Sequence, residues 1–249
     1  MKTVNINQKL SDIGIIVSDI SLGEFDYFGE FTAKRQRDQG NKNFKDGAFY
    51  RSNYERGLLI YNIIRQYDLK SYLEIGFGRG YSMLCAKKAF YDSGIDGRVV
   101  TIDPVLAKEW LEGLTTVIPQ QYMKDVEYCK GKSSEVLPKL GDAKFDFVYI
   151  DGDHSYDGTK LDWELVKDKA SKFVLFDDYH LPSKTDPGIQ CQKAIDEINW
   201  DQEGFVEPEL IICDRQIFLD DRARDSNFRQ DLDYGMVLTN RIGVTRDGW

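Results

Sequence analysis

The sequence predicts an α/β fold in which one mostly parallel sheet carries helices on both faces, a doubly wound arrangement. Three observations carry this reading. Short runs rich in β-branched and aromatic residues alternate with helical stretches along most of the chain. Each helical stretch is long enough for the crossover that a parallel strand pair requires. The segment Tyr72-Leu-Glu-Ile-Gly-Phe-Gly-Arg-Gly-Tyr-Ser82 runs from a strand through a glycine-rich turn into a helix.

The elements follow in order. A helix over 54–67 carries Leu58, Leu59, Ile60, Ile63 and Ile64 as an apolar stripe. Strands are expected at 71–75, 98–102, 125–130, 145–150 and 172–176, with helices at 80–93, 105–123, 133–140 and 157–170 between them. A further helix follows Pro187 and ends near Trp200. The runs 209–213, 216–219 and 235–240 all read as short strands. Two of them form a closing hairpin, which makes a seven-stranded sheet with a C-terminal antiparallel strand. The charged loop from Asp220 to Ser226 lies between them. Residues 1–50 mix polar and aromatic groups without a clear period and are expected to form an N-terminal cap or oligomerisation arm, with residues 51–249 as the domain proper.

Composition narrows the function. At 249 residues and 41% apolar content the chain suffices for one packed α/β domain with additions. A net charge of −9 repels phosphate backbones, so nucleic acid is disfavoured as a partner. The one local basic run, Lys34 to Arg37, reads as a solvated face. No apolar run reaches the roughly 18 residues that span a bilayer, and no charged-then-apolar leader opens the chain; the expected compartment is the cytoplasm. Cys85, Cys129, Cys191 and Cys213 are widely spaced, which suggests neither a zinc site nor a disulfide framework.

The chemistry is written at strand ends. Gly76, Gly78 and Gly80 allow positive φ and close backbone approach to a ligand, while the following helix offers unpaired N–H groups. The pattern departs from the dinucleotide fingerprint, because the third glycine comes one residue early and Tyr81 stands in its place. Asp103 ends the second strand, where it can accept hydrogen bonds from ribose hydroxyls; an NAD site would use the same carboxylate. The third segment, Phe145 to Gly158, empties into Asp151, Asp153 and His154, groups that hydride transfer does not require. A fourth, Phe173 to His180, repeats the arrangement with Asp177 and Asp178.

The series E-x-G-x-G-x-G, V-x-x-I-D, F-D-x-V-x-I-D-G-D-H and F-D-D resembles class I S-adenosylmethionine-dependent methyltransferases, and within them the macrocin- and novobiocin-type small-molecule O-methyltransferases. The resemblance covers about residues 55 to 180. It implies a Rossmann-like fold and S-adenosylmethionine (SAM) as cofactor. Glu74, Gly76, Gly78 and Gly80 would floor the cofactor site, Asp103 would take the ribose, Ser133 and Ser134 would lie at the adenine, and Asp151 would also contact the cofactor.

The acceptor is then a hydroxylated small molecule, a sugar or glycosylated metabolite. Its proton leaves either to a base or with the help of a divalent cation. Three carboxylates without cysteine suit an oxygen-preferring ion, and the resemblance implies Mg2+ on Asp151, Asp177 and Asp178. The paired aspartates have an alternative reading as a helix N-cap and a ribose contact. His154 matches a catalytic basic position of the catechol-type relatives and Asp153 the base of the sugar-modifying ones. Two other readings stay open: a metal-independent enzyme with His154 as base, and a cofactor-binding protein without transferase activity, resembling cephalosporin-hydroxylase-type domains.

Overall fold

In a computed structural model of the chain, the described residues are 1–14, 54–78, 80–105, 118–180, 190–212 and 234–245. Their eight strands are β1 (Lys2–Asn5), β2 (Ser71–Ile75), β3 (Arg98–Asp103), β4 (Val126–Lys130), β5 (Phe145–Ile150), β6 (Ala170–His180), β7 (Glu209–Ile212) and β8 (Tyr234–Asn240). One sheet contains them all in the order β1-β7-β8-β6-β5-β2-β3-β4. All neighbours are parallel except β6–β8 and β7–β8, which are antiparallel. The mostly parallel sheet and its antiparallel C-terminal strand therefore stand as expected. The eighth strand, β1, comes from the first residues and extends the sheet beside β7. Strand run 216–219 and the loop Asp220 to Ser226 lie outside the described residues, as do 15–53 and most of the expected 105–123 helix.

Strand side chains alternate between two cores, as a sheet covered on both faces requires. Tyr72, Val99, Phe147, Tyr149, Phe173 and Leu175 pack with α1 (Ile6–Asp12), α2 (Tyr54–Gln66) and α3 (Tyr81–Asp92). Leu73, Val100, Val148, Ile150, Val174 and Phe176 pack on the other face. There they meet α6 (Tyr156–Val166) and α7 (Cys191–Asp196). Two one-turn helices, α4 (Gln120–Met123) and α5 (Ser133–Val136), flank β4. The stripe read on α2 is the buried one: Leu58, Leu59, Ile60, Ile63 and Ile64 are all essentially inaccessible.

Strand β6 runs past its expected end at 176 because it keeps pairing with β8 through a bulge. Phe176 faces Val237 and Tyr179 faces Gly235, so three steps on β6 match two on β8. The extra residue lets Phe176 and Tyr179 share one core although an odd number of positions separates them. Asp177 and Asp178 form the bulge, and Asp178 takes the left-handed region at φ +52.

On the α6 face, Trp163 packs on Phe176, Trp200 and Phe205 with ring centroids 5.3–5.7 Å apart. It is 2% exposed. Trp163→Ala is expected to lower unfolding free energy by about 3–5 kcal/mol through lost burial and a residual cavity. Urea unfolding checks this, and a loss below about 1 kcal/mol would contradict the packing assigned here.

Candidate active site at the carboxyl ends of the strands

Strand β2 lies between β3 and β5, with Ile75 in register with both Ile102 and Ile150. The residues that follow these three positions therefore emerge at one edge. Gly76 donates its N–H to Ile102 O at 2.8 Å, and Asp151 donates its N–H to Ile75 O at 2.8 Å. A Cβ on Gly76 would stand 1.8 Å from the Asp151 carbonyl oxygen, and its φ is +92. This glycine is demanded by the neighbouring strand end. Gly78 differs: at φ +50, a Cβ there would meet nothing within 4 Å. That open side is where a ligand can come close to the backbone.

Gly80, at φ 84, caps α3 without any side-chain cap, and the first turn of α3 carries no acidic residue. Its leading N–H groups thus favour an anion such as a carboxylate. Asp103, at the end of β3, accepts from Gly78 N at 3.0 Å and from Val105 N at 2.7 Å. These bonds fix the carboxylate beside the glycine turn while leaving lone pairs for hydroxyl donors. The glycine cradle, the uncapped helix start and Asp103 together fit a cofactor bearing a carboxylate and a ribose. Arg79 lies outside the described residues.

Glu74 is placed beneath the turn. It is fully buried and accepts from the hydroxyls of Ser82, of Thr101 at 3.0 Å and of Tyr72 at 3.3 Å. Burial raises its pKa to about 8, against the lowering effect of the Ser82 and Thr101 hydrogen bonds. Glu74 thus ties β2, β3 and the first turn of α3 together through side chains.

The acidic groups gather beyond β5 and β6. His154 Nδ1 lies 3.1 Å from Asp178 and its Nε2 3.4 Å from Asp151. The hydrogen bond to Asp151 raises the imidazole pKa to about 9; burial opposes this and the charge of Asp178 adds to it. The backbone of His154 is itself anchored, since its carbonyl accepts from Gln190 N at 2.8 Å and from the Cys191 thiol at 3.4 Å.

Asp177 turns the other way. Its side chain is inaccessible, and it meets the Arg56 guanidinium and accepts from the Tyr149 hydroxyl at 2.5 Å. Burial pushes its carboxyl upward, and the charge of Arg56 pulls it back. Arg56 also reaches Asp151 Oδ2 at 3.0 Å. Sequence reasoning missed Arg56. The signal was its position in the first turn of α2 on the same stripe as Leu59, Ile60 and Ile63, where a cation needs a buried counterion.

The remaining expected residues are more dispersed. Asp153 is not drawn into the cluster: its carboxylate accepts from Ser155 N at 3.0 Å in the turn that opens α6, which lowers its pKa. Ser133 donates to Asp162 at 2.5 Å, and Ser134 is exposed. For a divalent cation, the expected donors Asp151, Asp177 and Asp178 do not converge. Among the described residues, the set whose ligand atoms all lie within 4.8 Å of one another is Asp151, His154 and Asp178. Exchanging a carboxylate for an imidazole makes a poorer fit to Mg2+, which prefers oxygen ligands.

Glu74 gives a pH-dependent stability. Its folded pKa lies above the ordinary 4.5, so the folded state holds a proton that the unfolded chain has released. The contribution is fully present below pH 4.5 and is lost as pH rises through about 8. Glu74→Gln is expected to flatten the fall in stability across this window by up to about 1.4 kcal/mol per pH unit. Urea midpoints measured at several pH values check this, and parallel profiles for the two proteins would contradict it.

Comparison with known proteins agrees with this geometry. Residues 73–179 match the family described as a methyltransferase domain, a span running from β2 to the β6 bulge. No curated relative matches the chain in sequence. The O-methyltransferase TomG of Streptomyces achromogenes, involved in tomaymycin synthesis and solved with SAM, is similar in structure. It has 20% identity and a TM-score of 0.59, over 87% of this chain and 90% of that one. An O-methyltransferase of Bacillus cereus solved with SAH has 16% identity and a TM-score of 0.60, over 95% and 96% of the two chains. The SAH-bound methyltransferase PaMTH1 of Podospora anserina has 18% identity and a TM-score of 0.54, over 87% of each chain. The strand order and the glycine turn agree with these structures: the chain has the Rossmann-like fold of these methyltransferases, and its residues 73–179 match the methyltransferase domain family.

Proposed function

We propose that this protein transfers the methyl group of SAM to a hydroxyl oxygen of a small molecule, with a sugar or glycosylated metabolite as the acceptor class. One observation carries the reading: the glycine turn, Asp103 and the Asp151–His154–Asp178 cluster all emerge at one edge of the sheet. The SAM and SAH in relatives of similar fold support the choice of cofactor.

SAM supplies a methyl group on a positively charged sulfur, which the acceptor oxygen displaces in line, leaving SAH and one proton to be removed. The chain's own residues bind, orient and take the proton. Gly78 would let the backbone approach the cofactor, the N–H groups of α3 would receive its carboxylate, and Asp103 would hold the ribose hydroxyls. Ser133 and Ser134, at the start of α5 after β4, serve the adenine side. His154 accepts the proton of the acceptor hydroxyl. Asp178 holds one ring nitrogen, and the longer contact of the other to Asp151 is the one the acceptor replaces. Loss of the Asp151 hydrogen bond, the largest cause of the raised imidazole pKa, would lower it toward the range of a base, and a positive charge bound at this edge would act in the same direction. The Mg2+ assistance implied by the sequence resemblance lacks its third carboxylate here, so proton removal is assigned to His154.

The test is transfer of labelled methyl from SAM to a panel of hydroxylated sugars and glycosides. The expected product is an O-methyl ether. His154→Gln is expected to lower kcat by about 10²–10⁴-fold with SAM affinity unchanged. Gly78→Ala should instead weaken SAM binding, because its methyl enters the open side of the turn. SAM binding without transfer to any acceptor would favour the cofactor-binding scaffold. Unchanged turnover in His154→Gln would remove the base assigned here.

A further inference from the structure

We infer that Arg56 is the resident cation of this carboxylate site, bridging Asp151 and Asp177 so that a divalent ion is kept out and methyl transfer needs none. Its role in transfer rests on the function proposed above; the exclusion of a metal ion does not.

Four features support this. The guanidinium contacts two carboxylates from different strand ends, Asp151 at 3.0 Å after β5 and Asp177 in the β6 bulge. A planar fork of donors spans two carboxylates in a way that an ammonium cannot. The contacts are shielded from water: the side chains of Arg56, Asp151 and Asp177 are 15%, 17% and 0% exposed. Tyr149 closes the inner side, its ring 5.5 Å from the guanidinium carbon and its hydroxyl on Asp177. Finally, Arg56 sits in the first turn of a helix whose neighbouring stripe is fully buried, so its direction is set by α2 packing on the sheet.

These contacts alter what the carboxylates offer. Asp177 is committed on the inner side, and Asp151 shares one oxygen with Arg56 and the other with His154. A divalent ion bridging Asp151 and Asp177 would have to displace a guanidinium that carries its charge at every accessible pH. Arg56 already neutralises carboxylate repulsion at the strand ends, which is one service such an ion would perform. It acts on the reaction through Asp151, and so is a positioning residue.

The experiment follows Mn2+ uptake by paramagnetic resonance in the full chain, with SAH titrated into the same samples. Wild-type protein is expected to take up no stoichiometric Mn2+, and its turnover to be unchanged by EDTA. Arg56→Met frees Asp151 and Asp177 and is expected to bind Mn2+ at least about tenfold more tightly than wild type. Adding Asp177→Asn to that variant should remove the gain. Arg56→Gln serves as a second variant if Arg56→Met does not fold, as judged by circular dichroism. Wild-type uptake of one Mn2+ per chain that Asp178→Asn abolishes would overturn the inference, and so would a folded Arg56 variant that gains no Mn2+. Loss of SAH binding in wild type would count against the methyl-transfer reading alone, since the Mn2+ result needs no cofactor.

Discussion

The candidate site depends on the parallel register of β2 between β3 and β5. Because Ile75 is level with Ile102 and Ile150, Gly76, Asp103 and Asp151 follow at one edge of the sheet. The chain leaves β2 toward β3 and β4 on one side and returns to β5 and β6 on the other, which opens the crevice where doubly wound sheets bind ligands. Burial on both faces locks that register. A slip of one residue would exchange Tyr72 and Glu74 with Leu73 and Ile75 between the two cores and strand the Glu74 carboxylate away from Ser82 and Thr101. The contact of Gly76 with the Asp151 carbonyl follows from the same alignment, because no side chain fits where the two strand ends meet.

Charge at this edge is balanced from inside the protein. Asp177 is buried against Arg56 and Tyr149, while Asp151 and Asp178 hold His154 between them. A buried ion pair is weak evidence of stabilisation, since desolvation of both partners offsets much of their attraction. Its better explanation is geometric. The pair orients Asp151, which touches both Arg56 and His154, and so links the packing of α2 to the His154 imidazole. Within the β6 bulge the adjacent aspartates take different partners, Asp177 meeting Arg56 and Asp178 meeting His154.

The five central strands were legible because each is a short apolar run ending in a carboxylate or glycine, and their observed bounds fall within a residue or two at most ends. β6 was the exception, since a bulge maintained by pairing with β8 leaves no mark in local periodicity. β1 was also hidden: four residues with one buried side chain carry too little pattern to read, and the strand exists through its pairing with β7. Within the site, Asp151, His154 and Asp178 were named from sequence and come together. Asp177 was named with them, but its partner Arg56 lies on a helix far upstream, and only the fold brings it near. Glu74 was read as facing the cofactor, whereas the hydroxyls of Tyr72, Ser82 and Thr101 surround it. No spacing rule links those three positions; they meet because β2, β3 and α3 converge there.

Whether this edge of the sheet is a SAM site is tested most directly by calorimetric titration of SAM and SAH into the purified protein, with NAD as control. Both sulfur nucleotides are expected to bind in a one-to-one complex and NAD to give no heat. Binding of NAD without either of them would contradict it and would return Asp103 and the glycine turn to a dinucleotide role.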